Sequence, residues 1–192
     1  MDTGNSLVQR TLVVIKPDAV KRGLIGEIIQ RLERTGLKLV GMKMVEPTDE
    51  QLDQHFPHND PQWILTMGSR TLESYNEIGV DVKEHFDTDD PQEIGQTIYQ
   101  YNRDLYHSGP VVAIVLQGPR AVELVRKMIG HTIPFKAAPG TIRGDFSGMT
   151  AEYANSRKMT VYNVIHASGN AAEAEKEISA WFNENEIIEE EW

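Results

Sequence analysis

A histidine near the C-terminal end of the chain is the residue whose type and place most suggest chemistry. The segment reads Asn163-Val164-Ile165-His166-Ala167-Ser168, so His166 is expected where a strand ends and shortly before a helix begins. Histidine can attack a phosphoryl group as a neutral nucleophile near pH 7. A lone histidine is nevertheless more often a packed or capping residue. The other polar residues of the chain must decide between these two interpretations.

Four further residues stand at predicted strand ends or beside long loops, namely Lys16, Arg126, Arg143 and Asn163. Each has an ordinary structural explanation when it is taken alone, such as a cation near a helix C-terminus for Arg126. Together they are the residue types that phosphoryl transfer requires, because positioned cations stabilise its charged transition state. Arginine offers a bidentate fork to phosphate, and lysine offers a mobile point charge.

The elements that must position these residues follow from the hydrophobic pattern. Continuous apolar or β-branched runs predict strands at residues 11–15, 37–45, 111–116 and 161–165. Apolar residues at helical spacing, and a capping box at Asn170 and Glu173, predict helices at residues 24–32, 122–129 and 170–181. The order strand, helix, strand, repeated and followed by a helix, predicts an α/β fold. Specifically, it predicts a ferredoxin-like βαββαβ sandwich with an antiparallel four-stranded sheet.

The chain of 192 residues is predicted to be one domain with two additions to this core. The first is an insertion at about residues 57–106, which holds helical patches such as 94–106. The second is a long loop at about residues 131–160, which carries several glycines and prolines. Loops of this length in a compact domain are usually functional or form interfaces.

The composition excludes several classes of function. The chain has no cysteine, so it has neither disulfides nor thiolate metal sites. A net charge of −10 argues against nucleic acid as a partner, since that requires a basic face, but a local cationic pocket for a phosphate compound remains compatible with it. No apolar run reaches the length of a membrane span, and Met1–Gln9 lacks the layout of a signal peptide. We therefore expect a cytoplasmic protein without a membrane partner.

Several segments, taken in order along nearly the whole chain, resemble the nucleoside diphosphate kinase family. The matching segments are Ile15-Lys16-Pro17-Asp18-Ala19-Val20, Ser108-Gly109-Pro110-Val111-Val112-Ala113, Pro139-Gly140-Thr141-Ile142-Arg143-Gly144-Asp145-Phe146 and Asn163-Val164-Ile165-His166. The resemblance implies transfer of the γ-phosphate of a nucleoside triphosphate to a nucleoside diphosphate, with His166 phosphorylated between two half-reactions.

The resemblance also implies roles for single residues and for partners. Thr132 would contact the phosphates with Arg126 and Arg143, Asn163 would touch the sugar hydroxyl, and Lys16 would bridge sugar and γ-phosphate. Glu177 would orient the imidazole of His166, with Ser168 in support. Mg²⁺ would arrive with the nucleotide phosphates rather than on a protein ligand. The protein would be a homohexamer or, as the alternative, a homotetramer.

The chain also departs from the family pattern near the site. Gly169 stands where the family has an aspartate after the histidine, and Phe56 follows His55 where the family usually has tyrosine. The family's base-stacking phenylalanine falls in the first insertion, so Trp63, Tyr99 and Tyr101 all remain candidates for that role. The other histidines are expected at the surface or in packing; these are His55, His58, His85, His107 and His131.

Two other functions are compatible with the fold expected from this resemblance. One is a nucleotide-binding or scaffold protein that lacks catalysis, and the other is a relay that passes phosphate from His166 to a protein partner. The presence of the nucleophile together with Lys16, Arg126, Arg143 and Asn163 favours the enzyme over a scaffold.

Overall fold

A four-stranded antiparallel sheet forms the centre of the computed structural model, which describes residues 7–189. Its strands lie in the order β2-β3-β1-β4 and cover Val8–Ile15 (β1), Lys38–Val45 (β2), Val111–Pro119 (β3) and Ile165–Ala167 (β4). This order and the antiparallel pairing confirm the predicted ferredoxin-like sheet. The polar segment before residue 7 and the end of the acidic run at 190–192 lie outside the described residues.

Ten α-helices surround the sheet in the described part of the chain. They are α1 (Pro17–Lys21), α2 (Ile25–Glu33), α3 (Asp49–His55), α4 (Pro61–Ile78), α5 (Lys83–Phe86), α6 (Pro91–His107), α7 (Ala121–Ile129), α8 (Ile142–Phe146), α9 (Ala151–Ser156) and α10 (Ala171–Trp181). Asn170 caps α10 as predicted, because its side chain accepts a hydrogen bond of 2.9 Å from the backbone N–H of Glu173. Among residues 7–189, no helix combines the length and the apolar character that crossing a bilayer requires.

Alternation along the strands gives the sheet two buried faces. Val13 and Ile15 point to the face that α2 and α7 cover, whereas Leu12 and Val14 point to the face that contains Trp181 of α10. The second face also receives Tyr106 from α6 and Leu52 from α3. His166, which pairs with Val14, therefore lies on the face that α3 and α6 cover.

The segment predicted as the first insertion, about residues 57–106, forms a helical layer that packs through close backbone contact. Helices α4 and α6 meet at Gly68 and Gly95, where a Cβ on Gly68 would lie 1.8 Å from the carbonyl oxygen of Pro91. A Cβ on Gly95 would lie 2.2 Å from the carbonyl oxygen of Ile64, so both positions require glycine. A separate small core around Tyr75 closes the far end of the layer.

Two sequence-based expectations differ from the structure. The loop at 131–160 is not irregular throughout, since it contains α8, α9 and a 3₁₀ turn at Pro134–Lys136, and α9 packs on α4 and α5 of the first insertion. The last strand is not residues 161–165 but Ile165–Ala167, because Val164 has a φ of 60°, which no strand residue adopts. His166 consequently lies within β4, opposite Val14, rather than beyond its end.

Candidate active site

His166 projects from the edge strand β4 between two buried neighbours, Ile165 and Ala167. Pairing with β1 fixes its backbone, while a quarter of its side chain stays exposed to solvent. Its Nε2 lies 2.9 Å from Oε1 of Glu177, which is the contact implied by the resemblance. No hydrogen bond reaches its Nδ1 from any residue in the described range. The imidazole is thus held at one nitrogen and leaves the other for a ligand.

Glu177 links His166 to the sheet through Ser168. The Ser168 hydroxyl donates to Oε2 of Glu177 at 2.6 Å and accepts the backbone N–H of Leu12 at 3.3 Å. Burial opposes ionisation of Glu177, but the charge of His166 and the hydrogen bonds from His166 and Ser168 outweigh it and lower the pKa to about 2. A carboxylate that stays ionised accepts a hydrogen bond, so the proton of neutral His166 resides on Nε2.

His55 lies next to His166 and Glu177, although the sequence predicts only a surface or packing position for it. It is fully buried, with its ring centroid 4.5 Å from that of His166 and its Nδ1 3.7 Å from Oε1 of Glu177. The Trp181 indole N–H donates to the same Nδ1 at 3.3 Å. Burial and the nearby charge of His166 lower the pKa of His55 to about 3. His55 is therefore neutral at neutral pH and packs against the site without forming an ion pair with Glu177.

Lys16 and Asn163 meet beside the histidine, as expected for a site that binds phosphate and sugar together. The Lys16 Nζ donates to Oδ1 of Asn163 at 2.8 Å, and the Asn163 amide donates to the backbone carbonyl of Thr132 at 2.9 Å. Lys16 follows β1 directly, and its backbone N–H donates to the carbonyl of Val164 at 2.9 Å. Burial lowers the pKa of Lys16 to about 8, with Asp18 opposing and Arg143 reinforcing that shift.

Arg143 has a larger structural role than the sequence indicated. Its Nε, Nη1 and Nη2 donate to the backbone carbonyls of Asn163, Gly130 and Ile165 at 3.3, 3.1 and 2.7 Å. Burial first, and then the charge of Arg126, lower its pKa to about 10, so it remains a cation at neutral pH. Arg126 and Thr132 are exposed at the same edge, so their side chains are open to a ligand.

These contacts predict different effects of two arginine-to-lysine changes on stability. Arg143→Lys should lower the free energy of unfolding by about 3 kcal/mol, since a lysine cannot serve three carbonyls and charge-assisted hydrogen bonds contribute about 1.5–3 kcal/mol each. Arg126→Lys is the matched control and should leave thermal stability unchanged, because Arg126 is exposed. Thermal unfolding followed by circular dichroism measures both, and equal melting temperatures would contradict the role of Arg143.

The turn before β4 is strained. Ile165 N–H donates to the carbonyl of Asn163 at 2.7 Å, two residues back, around a Val164 with a φ of 60°. A γ-turn with positive φ is rare, and a β-branched residue makes it more so, at a cost of about 1–3 kcal/mol. Asp18 is buried beneath it and accepts the Val164 N–H at 3.0 Å. Asp18 lies in the family-like segment Ile15–Val20, but the sequence alone predicts no role for it.

The structure separates the three aromatic candidates for base stacking. Tyr99 is buried, its ring stacks on that of His58 at 5.6 Å between centroids, and its hydroxyl accepts from Arg103 at 2.9 Å. Its ring is therefore occupied. Trp63 is half-buried beside Tyr99 at 6.2 Å between centroids. Tyr101 is half-buried and lines a surface cavity with Leu105, Thr160 and Tyr162.

Among the described residues, His55, His166 and Glu177 form a group whose possible metal-ligating atoms lie within 4.8 Å of one another. Sequence spacing gave no sign of it, because His55 and His166 are far apart in the chain. Two imidazoles and one carboxylate suit transition metals more than Mg²⁺, which prefers oxygen ligands. Both oxygens of the Glu177 carboxylate also accept hydrogen bonds within the protein, so Glu177 is a poor ligand for Mg²⁺.

Comparison with known proteins is consistent with this geometry. The family model described as nucleoside diphosphate kinase matches residues 9–64 and 81–187. A nucleoside diphosphate kinase from Pyrobaculum aerophilum is 45% identical over 182 residues, which is 95% of this chain and 99% of the relative. One from Borreliella burgdorferi is 37% identical over 182 residues, covering 95% of this chain and 92% of the relative.

Solved structures give the same picture. The crystal structure of an NDP kinase from Pyrobaculum aerophilum superposes with a TM-score of 0.89 at 44% identity, covering 95% of this chain and all of the other. A transition-state mimic of the nucleoside-diphosphate kinase from Borrelia burgdorferi, with bound vanadate and ADP, superposes with a TM-score of 0.75 at 36% identity. That match covers 97% of this chain and 94% of the other.

Proposed function

We propose a role for each site residue of this chain, which belongs to the nucleoside diphosphate kinase family. Its activity is the transfer of the γ-phosphate of a nucleoside triphosphate to a nucleoside diphosphate. We assign the phosphorylated intermediate to His166 and the attack to Nδ1. The contact between Nε2 and ionised Glu177 carries this assignment, because it places the proton on Nε2 and leaves the Nδ1 lone pair available.

The proposed reaction proceeds in two similar halves. The Nδ1 lone pair of His166 forms a bond to the γ-phosphorus while the bond from that phosphorus to the leaving β-phosphate oxygen breaks. The ring becomes cationic and its Nε2–H strengthens the hydrogen bond to Glu177, which supplies charge stabilisation. In the second half, a terminal oxygen of an incoming nucleoside diphosphate forms a bond to the phosphorus while the Nδ1–P bond breaks, and its electron pair returns to Nδ1 and restores the neutral ring.

The cationic residues of the site would hold the phosphates during both halves. Lys16 lies beside Asn163, so one contact pair could serve the γ-phosphate and the sugar hydroxyl. Arg126 and Thr132 are exposed and would take the outer phosphates, while the two N–H groups that Arg143 retains would complete the set. Arginine forks match phosphate geometry well.

Mg²⁺ would be bound by nucleotide phosphate oxygens and water. Both oxygens of the Glu177 carboxylate are already engaged, because one accepts a hydrogen bond from His166 and the other accepts one from Ser168. Gly169 offers no side chain where the family has an aspartate. When bound with the nucleotide, the ion would neutralise phosphate charge, which leaves positioning to Lys16 and the arginines.

Initial-rate kinetics with two nucleotides test this function. A phosphoenzyme intermediate predicts parallel lines in double-reciprocal plots against one nucleotide at several concentrations of the other. Intersecting lines would exclude the proposed intermediate. A scaffold would show binding without turnover, whereas a relay would transfer label from His166 to a protein even without a diphosphate.

The pKa of Lys16 predicts an alkaline limit to activity. Since burial lowers that pKa to about 8, kcat/KM for the triphosphate should fall above pH 8 as the free enzyme loses this cation. Bound phosphates favour the charged lysine, so the corresponding limb of kcat should lie at higher pH. Lys16→Gln should be slower throughout and should lack the limb near pH 8. A limb unchanged in Lys16→Gln would assign it to another group.

The assembly and the base site are further parts of the proposal. We propose a homohexamer, or alternatively a homotetramer. Self-association is supported by Met42 and Met44, which are about half exposed on the edge strand β2, and by Phe135, which is 72% exposed in the long loop. Light scattering on the purified protein measures the mass.

For the base, we propose Trp63 or Tyr101 rather than Tyr99, whose ring is already stacked on His58. A cytoplasmic location is likewise proposed.

A further inference from the structure

The turn Asn163–Ile165 connects the residues that we assign to the sugar and to the phosphoryl group. Asn163 contacts Lys16 on one side of it, and His166 follows on the other. Val164, at its centre, has a φ of 60°, a conformation that valine rarely adopts without support. If Val164 relaxed to negative φ, the peptides on both sides would rotate and Asn163 and His166 would lose their mutual placement.

Contacts from two distant segments of the chain hold the polar groups of the turn. Asp18 accepts the Val164 N–H at 3.0 Å, and the Lys16 N–H donates to the Val164 carbonyl at 2.9 Å. Arg143 donates to the two flanking carbonyls, those of Asn163 and Ile165. Lys16 and Arg143 are cations suited to a nucleotide, whereas a carboxylate would repel its phosphates.

A contribution to stability alone does not explain why Asp18 is buried. It is 4% exposed, and its Oδ1 has no hydrogen-bond partner within residues 7–189. Burial raises its pKa, although the charge of Lys16 and the hydrogen bond from Val164 oppose the rise. A buried carboxylate with a free oxygen costs free energy, so its bond to a strained backbone N–H requires another explanation.

We propose that Asp18 is a positioning residue, which holds Val164 in its left-handed conformation and thereby sets the geometry between Asn163 and His166. The inference rests on the proposed role of His166. The competing explanation is that Asp18 only balances the charge of Lys16. Asp18→Asn distinguishes the two, because asparagine keeps an acceptor oxygen for the Val164 N–H and loses the charge.

The test measures the single-turnover rate of His166 phosphorylation at saturating γ-labelled ATP, with nucleotide affinity measured separately. Asp18→Ala should slow this rate by at least about tenfold, since small misplacements of reacting groups cost up to about 100-fold. Asp18→Asn should stay within about threefold of the unmodified protein. Affinity should change less than the rate in both variants.

Val164→Gly and Val164→Ala make a matched pair, because both remove the same buried side chain and differ in tolerance of positive φ. The glycine variant should be the more thermally stable and the faster of the two, the reverse of the usual order. Combined with Asp18→Ala, the glycine should restore part of the lost rate and the alanine should not.

Several results would overturn the inference. They are an unchanged rate in Asp18→Ala, an Asp18→Asn rate as low as that of Asp18→Ala, and no advantage of glycine over alanine at Val164. The last comparison does not use Asp18 variants, so it remains decisive if Asp18→Ala fails to fold. Failure of the unmodified protein to become labelled would instead overturn the phosphohistidine assignment and is thus distinguishable.

Discussion

Incubation with γ-labelled ATP should label the unmodified protein, and the substitution His166→Ala should remove the label. The expected bond is a phosphoramidate at Nδ1, which is stable in base and lost in acid. Loss of the nucleophile removes the covalent route, so turnover should fall by at least about 10⁴-fold, comparable to the effect of deleting a nucleophile in other covalent mechanisms. Any added nucleoside diphosphate should discharge the label from the unmodified protein.

The control for this experiment is a histidine outside the site. His107 is at the C-terminal end of α6, with a side chain 40% exposed and in contact with Asp49 at 3.1 Å. His107→Ala should keep the full label, because it has no connection to Glu177 or to the phosphate-binding residues. A label that persists in His166→Ala would show that another residue accepts the phosphate. A label that also disappears in His107→Ala would show that loss of label in His166→Ala does not identify the nucleophile.

The sequence was sufficient to identify the residues whose positions are fixed by local pattern. Lys16 directly follows the apolar run of β1, and the structure brings it into contact with Asn163, which precedes β4. The role of Glu177 followed only from the family resemblance; the residue lies on a helix whose start the capping box marks, and its carboxylate contacts His166. The order of strands and helices likewise followed from periodicity, since both faces of the sheet are buried.

Features that depend on contacts between distant segments could not be predicted in the same way. Residues 161–165 have the apolar pattern of a strand, yet Asp18, which lies 146 positions before Val164, stabilises a turn there. His55 meets His166 across more than a hundred residues, so no spacing rule identifies it. The pairing of α9 with the first insertion has the same origin, because tertiary packing decides it.

The neutral state of His55 explains how the charge of Glu177 can serve a single imidazole, that of His166. A cationic imidazole 3.7 Å from Oε1 would compete with His166 for the carboxylate. The buried position of His55 and the indole N–H of Trp181 on its Nδ1 keep it uncharged. The carboxylate charge is thus available to the imidazolium that forms on His166. This arrangement makes Glu177 the residue, after the nucleophile, whose replacement has the largest expected effect.

Glu177→Gln should lower kcat by about 10- to 100-fold, because the charge-assisted hydrogen bond to the imidazolium contributes about 1.5–3 kcal/mol. KM should change little, since Glu177 contacts His166 and Ser168 and is not placed on the nucleotide. The amide adds a second effect. Ser168 would still donate to the remaining oxygen, so the NH₂ group would face Nε2 of His166 and favour the tautomer with its proton on Nδ1, which cannot attack.

Two comparisons separate these effects from a loss of structure. Glu175→Gln, on the exposed side of the same helix, should retain full activity. Ser168→Ala in the Glu177→Gln background frees the amide to rotate and present its oxygen to Nε2, so it should restore part of the rate if the wrong tautomer contributes. Absence of recovery would leave loss of charge as the whole effect, and an unchanged kcat in Glu177→Gln would show that His166 is oriented by other contacts. Because Oε1 of Glu177 makes the hydrogen bond to Nε2, we expect Glu177→Gln to lower kcat and the added Ser168→Ala to restore part of the rate.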